Sequence, residues 1–547
     1  MKNKFLKSIL VLCVISTVAV TSCRKKLDEA YANPNATTRV PVESILPGLI
    51  GNFLGSSAAA GSGYGLGSDG LIVGRYIQFW QTNSTGNTFD QMSGATGASD
   101  NMGSIWAMHY FGQGQNLNQM VNWAIEEQKW DYAGVGYAIR AWSWLMLTNQ
   151  YNDVILKQAY NTNLQQFLYD TQPEVYDTVR ATCFRALAYL NTTGGNASAA
   201  NLAIGDAFFN GGDVNKWKKF VYGVLARSYG YLSNKTTYNA DSVVKYTDLA
   251  MTTNADNATC KFANTGISGT ANYLGILRSN VGTLRQSAFI VDLMNGANAG
   301  AFTGVEDPRN WYMLRDNPNG TFKGIIPNKG SSSLAGNDQP SNYWGGTFAT
   351  TAAPANENAS RYLFRNNAEF PVMTATEMQF LKAEALFRKG DKAGALAAYT
   401  NAITLDIDML TSKYETNVPS AKLITASIKN NFLTRPEIVP TAANLTLTHI
   451  MLQKYIALYG YGMHEVWADL RRYHYNKDQD ANTGKPVYVG FTLPSGIDLY
   501  PDNNGNPVYR ARPRYNSEYL YNIPELTRIG AYPGLDYHTK ECWFSQK

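Results

Sequence analysis

Charge is scarce in this chain. Asp, Glu, Lys and Arg make up only 16% of its 547 residues, against a usual share of about 25%, and the 47 Lys and Arg exceed the 42 Asp and Glu by only 5. A nucleic-acid-binding surface needs a basic stripe to displace counterions, so this balance excludes one as the main activity. Histidine is equally sparse. The five, at positions 109, 449, 464, 474 and 538, never cluster, and His464-Glu465 lacks the second histidine four residues on that a helical zinc site requires. There is no G-x-S-x-G elbow and no phosphate loop ending in Gly-Lys-Ser/Thr, and "GSGYGLG" at 61–67 lacks the spacing of a dinucleotide fingerprint. Cysteine is limited to five residues. Cys183, Cys260 and Cys542, the three beyond the N-terminal segment, have no short paired spacing, so no disulfide framework is indicated; one long-range pair is left open.

Long apolar runs are also missing. The N-terminal run Ile9–Val20, broken by Cys13, Ser16 and Thr17, reaches only about 18 Å as a helix at ~1.5 Å per residue, short of the ~30 Å hydrocarbon core. Lys2, Lys4 and Lys7 precede it, and small residues lead from it into Cys23. Positive start, apolar centre and small-residue end mark a secretory signal over 1–22, and Val20-Thr21-Ser22-Cys23 resembles the lipobox of bacterial lipoproteins. That resemblance implies diacylglycerol on the Cys23 thiol, cleavage before it and acylation of the new amine; the competing reading is a cysteine that follows a signal cut elsewhere. Cleavage removes three lysines and no acid, leaving 44 basic against 42 acidic residues, a net charge of +2. Lys26-Leu27-Asp28-Glu29 is similar to the surface-export signal of Bacteroidetes lipoproteins, which implies an anchored protein facing the cell exterior. Residues 23–38, with the "ANPNATT" turn, read as a lipidated flexible tether.

What the chain has in abundance is Tyr (35), Gly (47) and Trp (11), a supply of flat rings and neutral hydrogen-bonding groups that suits a polar, uncharged ligand. Its strongest local pattern is helical. Residues 133–149 carry a broad apolar band, 173–191 open on Pro173-Glu174 as a helix start does, and a third helix is expected over 216–232. "TATEMQFLKAEALFRKGDKAGALAAYTNAI" (374–403) reads as a helix capped by Thr374 or Thr376, a turn at Gly390-Asp391 and a second helix. Its Ala383, Leu386, Ala395, Tyr399 and Ala402 fall at tetratricopeptide spacing, and a generic helical hairpin is the alternative. Trp142, Trp144, Trp217 and Trp467 sit at core spacing. Glu377 and Glu384, and the arginines 471, 472, 510, 512 and 514, read as structural ion pairs and stitches to carbonyls. Between the helices, stretches around 51–100, 254–370 and 476–515 lack periodicity, and loops of that length in a folded domain are usually functional or disordered.

Six strings in order, "LDEAYANPNATT" (27–38), "DVNKWKKFVYGVLARSY" (213–229), "EDPRNWYML" (306–314), "PVMTATEMQFLKAEALFRKGD" (371–391), "QKYIALYGYGMHEVWADLRRYHY" (453–475) and "RARPRYNSEYLYN" (510–522), together resemble the SusD/RagB family of outer-membrane nutrient-binding lipoproteins. The resemblance implies a mainly α fold over 39–547, a tetratricopeptide-like helix-pair superhelix with a loop-rich ligand region. It also implies a non-catalytic role, with a SusC-like TonB-dependent barrel transporter as partner and an oligosaccharide or peptide as cargo. A pyranose lays its C–H face on an aromatic ring while its hydroxyls meet amides. The expected ligand contacts are therefore the rings in the irregular segments, Trp80, Trp311, Tyr312, Tyr343 and Trp344, with Asn83, Asn310 and Asn342 beside them. No cofactor is expected. Asp478, Asp480, Asn482 and Gly484 resemble half of a calcium loop, but the glycine comes one place late and no glutamate closes it. A surface glycan hydrolase, with two facing carboxylates, and a purely structural scaffold are the competing classes.

Overall fold

The structure, a computed structural model, describes residues 39–55, 65–86, 90, 92 and 101–547. The signal segment, Cys23 and the tether to residue 38 lie outside the described residues. Among those described, no helix is long and apolar enough to cross a membrane.

Helices dominate, and they pack in sequence order. α1 (Val42–Gly51) and α2 (Leu66–Tyr76) lead to α3 (Gly114–Glu126), which packs on α4 (Trp130–Tyr151); α4 packs in turn on α5 (Gln172–Asn191), and α5 on α6 (Val214–Gly230). α6 meets α7 (Ala240–Leu249), and α7 meets α8 (Ala375–Arg388), which pairs with α9 (Lys392–Lys413) and also touches α10 (Leu447–Ala457), next to α11 (Met463–Arg472). Each helix buries its apolar face mainly on its neighbours, as repeat folds do, and the result is the tetratricopeptide-like superhelix. The expected helices are present with local causes. Glu174 accepts from the Thr171 backbone N–H at 3.0 Å to cap α5, Asp213 caps α6, and Thr374, not Thr376, caps α8 by accepting from Glu377 N at 3.2 Å. Gly390 turns the chain at φ +84°, after which Asp391 accepts from Gly394 N at 2.9 Å to start α9. Ala383, Ala395 and Ala402 are fully buried, their small side chains letting α8 and α9 approach.

Within the stretch around 51–100 that was expected to be loop-rich, Leu66–Tyr76 is helical. Its glycines serve close approach. A Cβ at Gly70 would lie 2.3 Å from Met463 Cε, and one at Gly74 would lie 2.4 Å from the Trp80 ring.

The acidic and basic residues of the helical core neutralise one another. Arg227 of α6 forks onto Glu377 of α8 with two 2.7 Å bonds and reaches Glu465 of α11 at 2.9 Å. Arg472 of α11 bridges Glu384 of α8, at 2.8 and 2.9 Å, and Asp469 at 2.6 Å. Lys454 of α10 meets the other Asp469 oxygen at 2.7 Å. Arg471 donates to the carbonyls of Asn149 and Tyr509 at 2.6 and 2.9 Å, and Arg510 to that of Lys540 at 2.7 Å. These are the stitches the sequence suggests; Arg512 instead meets the His538 imidazole at 3.3 Å. The four helical tryptophans are core residues, none more than 5% exposed. Cys183, Cys260 and Cys542 are buried and unpaired.

The C-terminus closes on α11 through His474, whose two ring nitrogens lie 2.9 Å from Asp478 Oδ2 and 2.9 Å from Glu541 Oε1. The bonds to Asp478 and Glu541 lift the imidazole to about 9. A folded pKa above the unfolded value near 6.5 contributes stability that is complete below that value and lost as pH rises through about 9. Urea midpoints should therefore fall between pH 7 and 10 by more in the parent than in His474→Gln.

Candidate ligand site

The loop-rich segments are tied to the helices by two small antiparallel ladders. β1 (Trp80–Thr82) pairs with β3 (Leu284–Gln286), Trp80 opposite Gln286, and β2 (Ala258–Cys260) pairs with β4 (Phe370–Met373). The rings expected to hold ligand mostly do something else. Trp80 is fully buried, its ring over Gly74 and its Nε1 donating to Leu71 O at 2.9 Å. Tyr343 stacks on Phe364 at 4.0 Å between centroids and shares a 2.5 Å hydroxyl contact with Tyr459. Trp344 donates to Leu274 O at 3.0 Å, and Tyr312 accepts from Ile424 N at 3.1 Å; both rings are buried. Asn310 is buried and bonded to Glu306 at 3.1 Å. Asn83 acts through its backbone, donating to Thr283 O at 2.9 Å and accepting from Ser331 N at 3.1 Å. Only Trp311 among these rings keeps part of its surface exposed, lying edge-on to Phe322 with Lys422 Nζ 4.6 Å from its centroid.

The physical reason is that long segments without helices need apolar anchors of their own, and large rings supply the most buried area per residue. In this structure Trp80, Tyr312, Tyr343 and Trp344 thus form a supporting layer for the loops, while Trp311 keeps part of its face open. Trp80 and Tyr343 come together, 6.4 Å apart, with Asn342 and Trp344 adjoining, whereas Trp311 and Tyr312 meet the 415–424 segment and Asn310 bonds to Glu306.

Above that layer lies a basin of about 580 Å³. Asn342 shapes its rim: Oδ1 accepts from Trp344 N and Gly346 N at 3.0 and 2.8 Å, and Nδ2 donates to Thr350 O at 3.0 Å. Gly345, at φ +90°, is confined to glycine, since a Cβ there would lie 2.3 Å from that of Ala359 and 2.8 Å from Arg315 Nη2. Strand β3 sets the floor: Gln286 accepts from Arg315 N at 2.7 Å and donates to Arg315 O and Lys323 O at 2.8 Å each. Arg285 donates to the carbonyls of Phe348 and Thr350. Burial lowers Arg285 to about 10, and burial with Arg361 nearby lowers Arg315 to about 9.

The basin's lining mixes uncharged polar side chains, Gln339, Ser341 and Thr347, with the apolar Pro318, Phe348 and Ala349, while the buried Asn317 amide is taken up by Thr321 and Asn319 N. Asp316 is the one carboxylate among the described lining residues, and Arg361 holds it at 2.7 Å. A glycosidase needs two carboxylates facing one bond, and among the described lining residues Asp316 is the one present. Gln339, Ser341 and Thr347 were missed by the sequence reading, because isolated polar residues in an aperiodic segment carry no local signal. At the calcium-like segment, Asp478 is engaged by His474 and Lys547, while Asp480 accepts from Thr448 N and Asn482 N. Among the described residues no group of three or more His, Cys, Asp or Glu is placed to hold a metal ion.

Residues 62–488 match the SusD-like family model, whose description is "Starch-binding associating with outer membrane". The chain belongs to the SusD-like family. Solved structures agree in fold. A SusD/RagB family protein from Bacteroides thetaiotaomicron superposes with a TM-score of 0.63 at 20% identity, covering 93% of this chain and 99% of that one. A SusD homolog from Bacteroides fragilis gives 0.65 at 17% identity, covering 93% and 100%, and a chitin-binding SusD homolog from Flavobacterium johnsoniae gives 0.60 at 15%, covering 92% and 98%. The sequence has no match among curated proteins. In this SusD-like chain the basin is built from the segment 316–349, between the helices.

Proposed function

We propose that this SusD-like protein is a non-catalytic binding protein, lipid-anchored through Cys23 at the outer membrane and facing outward, that captures an oligosaccharide and delivers it to a TonB-dependent barrel transporter. The observation that carries the reading is the neutral, amide- and hydroxyl-lined basin at 316–349, whose single carboxylate is already paired. Sugar hydroxyls exchange water for such groups without ionic desolvation, and a site beside the transporter mouth works by raising the local ligand concentration there. Family membership supports the same reading.

The test is affinity electrophoresis and calorimetry of the purified chain against neutral glycans and mixed peptides. A Gln339→Ala/Thr347→Ala double variant should weaken glycan binding about tenfold, the equivalent of two hydrogen bonds of about 0.5–1.5 kcal/mol each, with no release of reducing sugar by the parent. Tight binding of peptides alone would replace the cargo by peptide, and reducing-sugar release would overturn the non-catalytic assignment.

A further inference from the structure

A second concavity, of about 360 Å³, shares no lining residue with the basin. It lies where the helical segment from Ser104 loosens into a π-helical turn, Met108–Gln113, before α3 begins at Gly114 with φ +40°. π turns are rare and concentrate at functional sites. This one sends neighbouring rings in opposite directions. His109 is fully buried, with Nδ1 2.6 Å from Ser143 Oγ, while Phe111 is 70% exposed at the mouth of the groove.

The opposite wall shows the same kind of construction. Tyr160 holds a left-handed backbone at φ +65°, a conformation a tyrosine keeps only when its surroundings impose it. The buried Arg140 imposes it here, lying 4.7 Å from the Tyr160 ring centroid and anchored to Gly114 O and Asn118 Oδ1 at 3.0 and 2.8 Å, while Tyr160 Oη donates to His109 O at 2.9 Å. Tyr110 is pinned by its own bond to Ile155 O at 2.7 Å and packs on Trp106 at 4.9 Å. Tyr110 and Tyr160 are therefore held in place behind the groove. Asn161 and Thr162 supply uncharged polar groups at the edge, beside Gln115, whose amide is taken up by Tyr160 O and Asn118; Arg514 adds one cation to the lining, and the Glu518 carboxylate is occupied by Tyr169 and Asn522 at 2.9 Å each.

We infer that this groove is a second carbohydrate subsite, taking a neutral pyranose with its C–H face on Phe111 and its hydroxyls on the amide edge. The inference rests on the carbohydrate-capture reading and adds to it: a polymer long enough to touch both concavities gains avidity from the second contact, whereas a short oligosaccharide held in the basin does not.

The experiment pairs soluble starch and glycol chitin with their short counterparts, maltoheptaose and chitohexaose, on the intact chain. Phe111→Ala should weaken polymer binding about tenfold and leave short-oligosaccharide binding unchanged, and Phe111→Trp, which keeps a ring face, should restore the polymer affinity. Because the Phe111 side chain is largely in solvent, the variants should keep the parent's circular dichroism spectrum; Phe167→Ala provides a second probe of the same groove. If both alanine variants bind polymer as the parent does while Gln339→Ala/Thr347→Ala binds less, the subsite is wrong and the basin stands. Failure of the parent to bind any of the four glycans overturns both readings.

Discussion

Glu384→Ala is expected to destabilise the folded chain by about 3–5 kcal/mol, the cost of leaving a buried charge without its partner. Glu384 is fully enclosed and accepts from Arg472 at 2.8 and 2.9 Å, from Arg388 at 3.1 Å and from the Tyr473 hydroxyl at 2.7 Å. Removing its carboxylate strands the Arg472 guanidinium, itself without solvent exposure, with Asp469 as its remaining acid. The more exposed pair Lys382–Asp248, at 2.6 Å between α8 and α7, is the control: Lys382→Ala should cost no more than about 1 kcal/mol.

The pH dependence has a defined sign. Burial pushes the Glu384 carboxyl up, but the Arg472 charge and hydrogen bonds outweigh it and hold the group well below its ordinary value of 4.5. A depressed folded pKa contributes stability that is present above the unfolded value and lost as pH falls below it. Acid unfolding of the parent should therefore steepen below about pH 4.5, and Glu384→Gln should lack that part of the slope. Equal urea midpoints for parent and Glu384→Ala at pH 7 would contradict the network.

Cys23→Ala is expected to move the protein from the membrane fraction to the soluble fraction and to abolish incorporation of radiolabelled palmitate. At ~0.8 kcal/mol per buried CH₂, one acyl chain holds a protein only marginally, with a binding constant of about 10⁴ M⁻¹, whereas two or more hold it stably. On the proposed lipidation, loss of the thiol would remove the diacylglycerol and, with it, the processing that exposes the second acylation site, so attachment would be lost as a unit. Among the described residues no membrane-spanning helix provides an alternative anchor. Membrane retention of Cys23→Ala would place the attachment in another part of the molecule.

How far the sequence could be read depended on the range of the forces involved. The pair 374–413 was legible because its determinants are local: Thr374 and Asp391 bond to backbone three residues on, and Gly390 needs only its own φ. The burial of Trp142 and Trp467 followed from helical periodicity in the same way. Leu66–Tyr76 was misread as loop because three of its glycines are there for neighbours such as Leu54, Met463 and Trp80, none of which periodicity reveals. The burial of Trp80, Tyr343 and Trp344 was not legible for a related reason. A ring in an aperiodic segment has no face that sequence can orient, and here those rings became the core of the loops themselves.

By itself the amino-acid sequence determined the helical class, the paired-helix architecture, the low and balanced charge and the ordered strings of the SusD-like family, since each is written in residue types at short, regular spacing. The tertiary structure decided which aromatic faces are covered, where the polar basin opens and that a π turn turns Phe111 outward at a second groove. Those outcomes depend on contacts between residues tens to hundreds of positions apart, such as Arg285 with Phe348 and Arg227 with Glu377, and burial is a property of such contacts and not of any one stretch of chain.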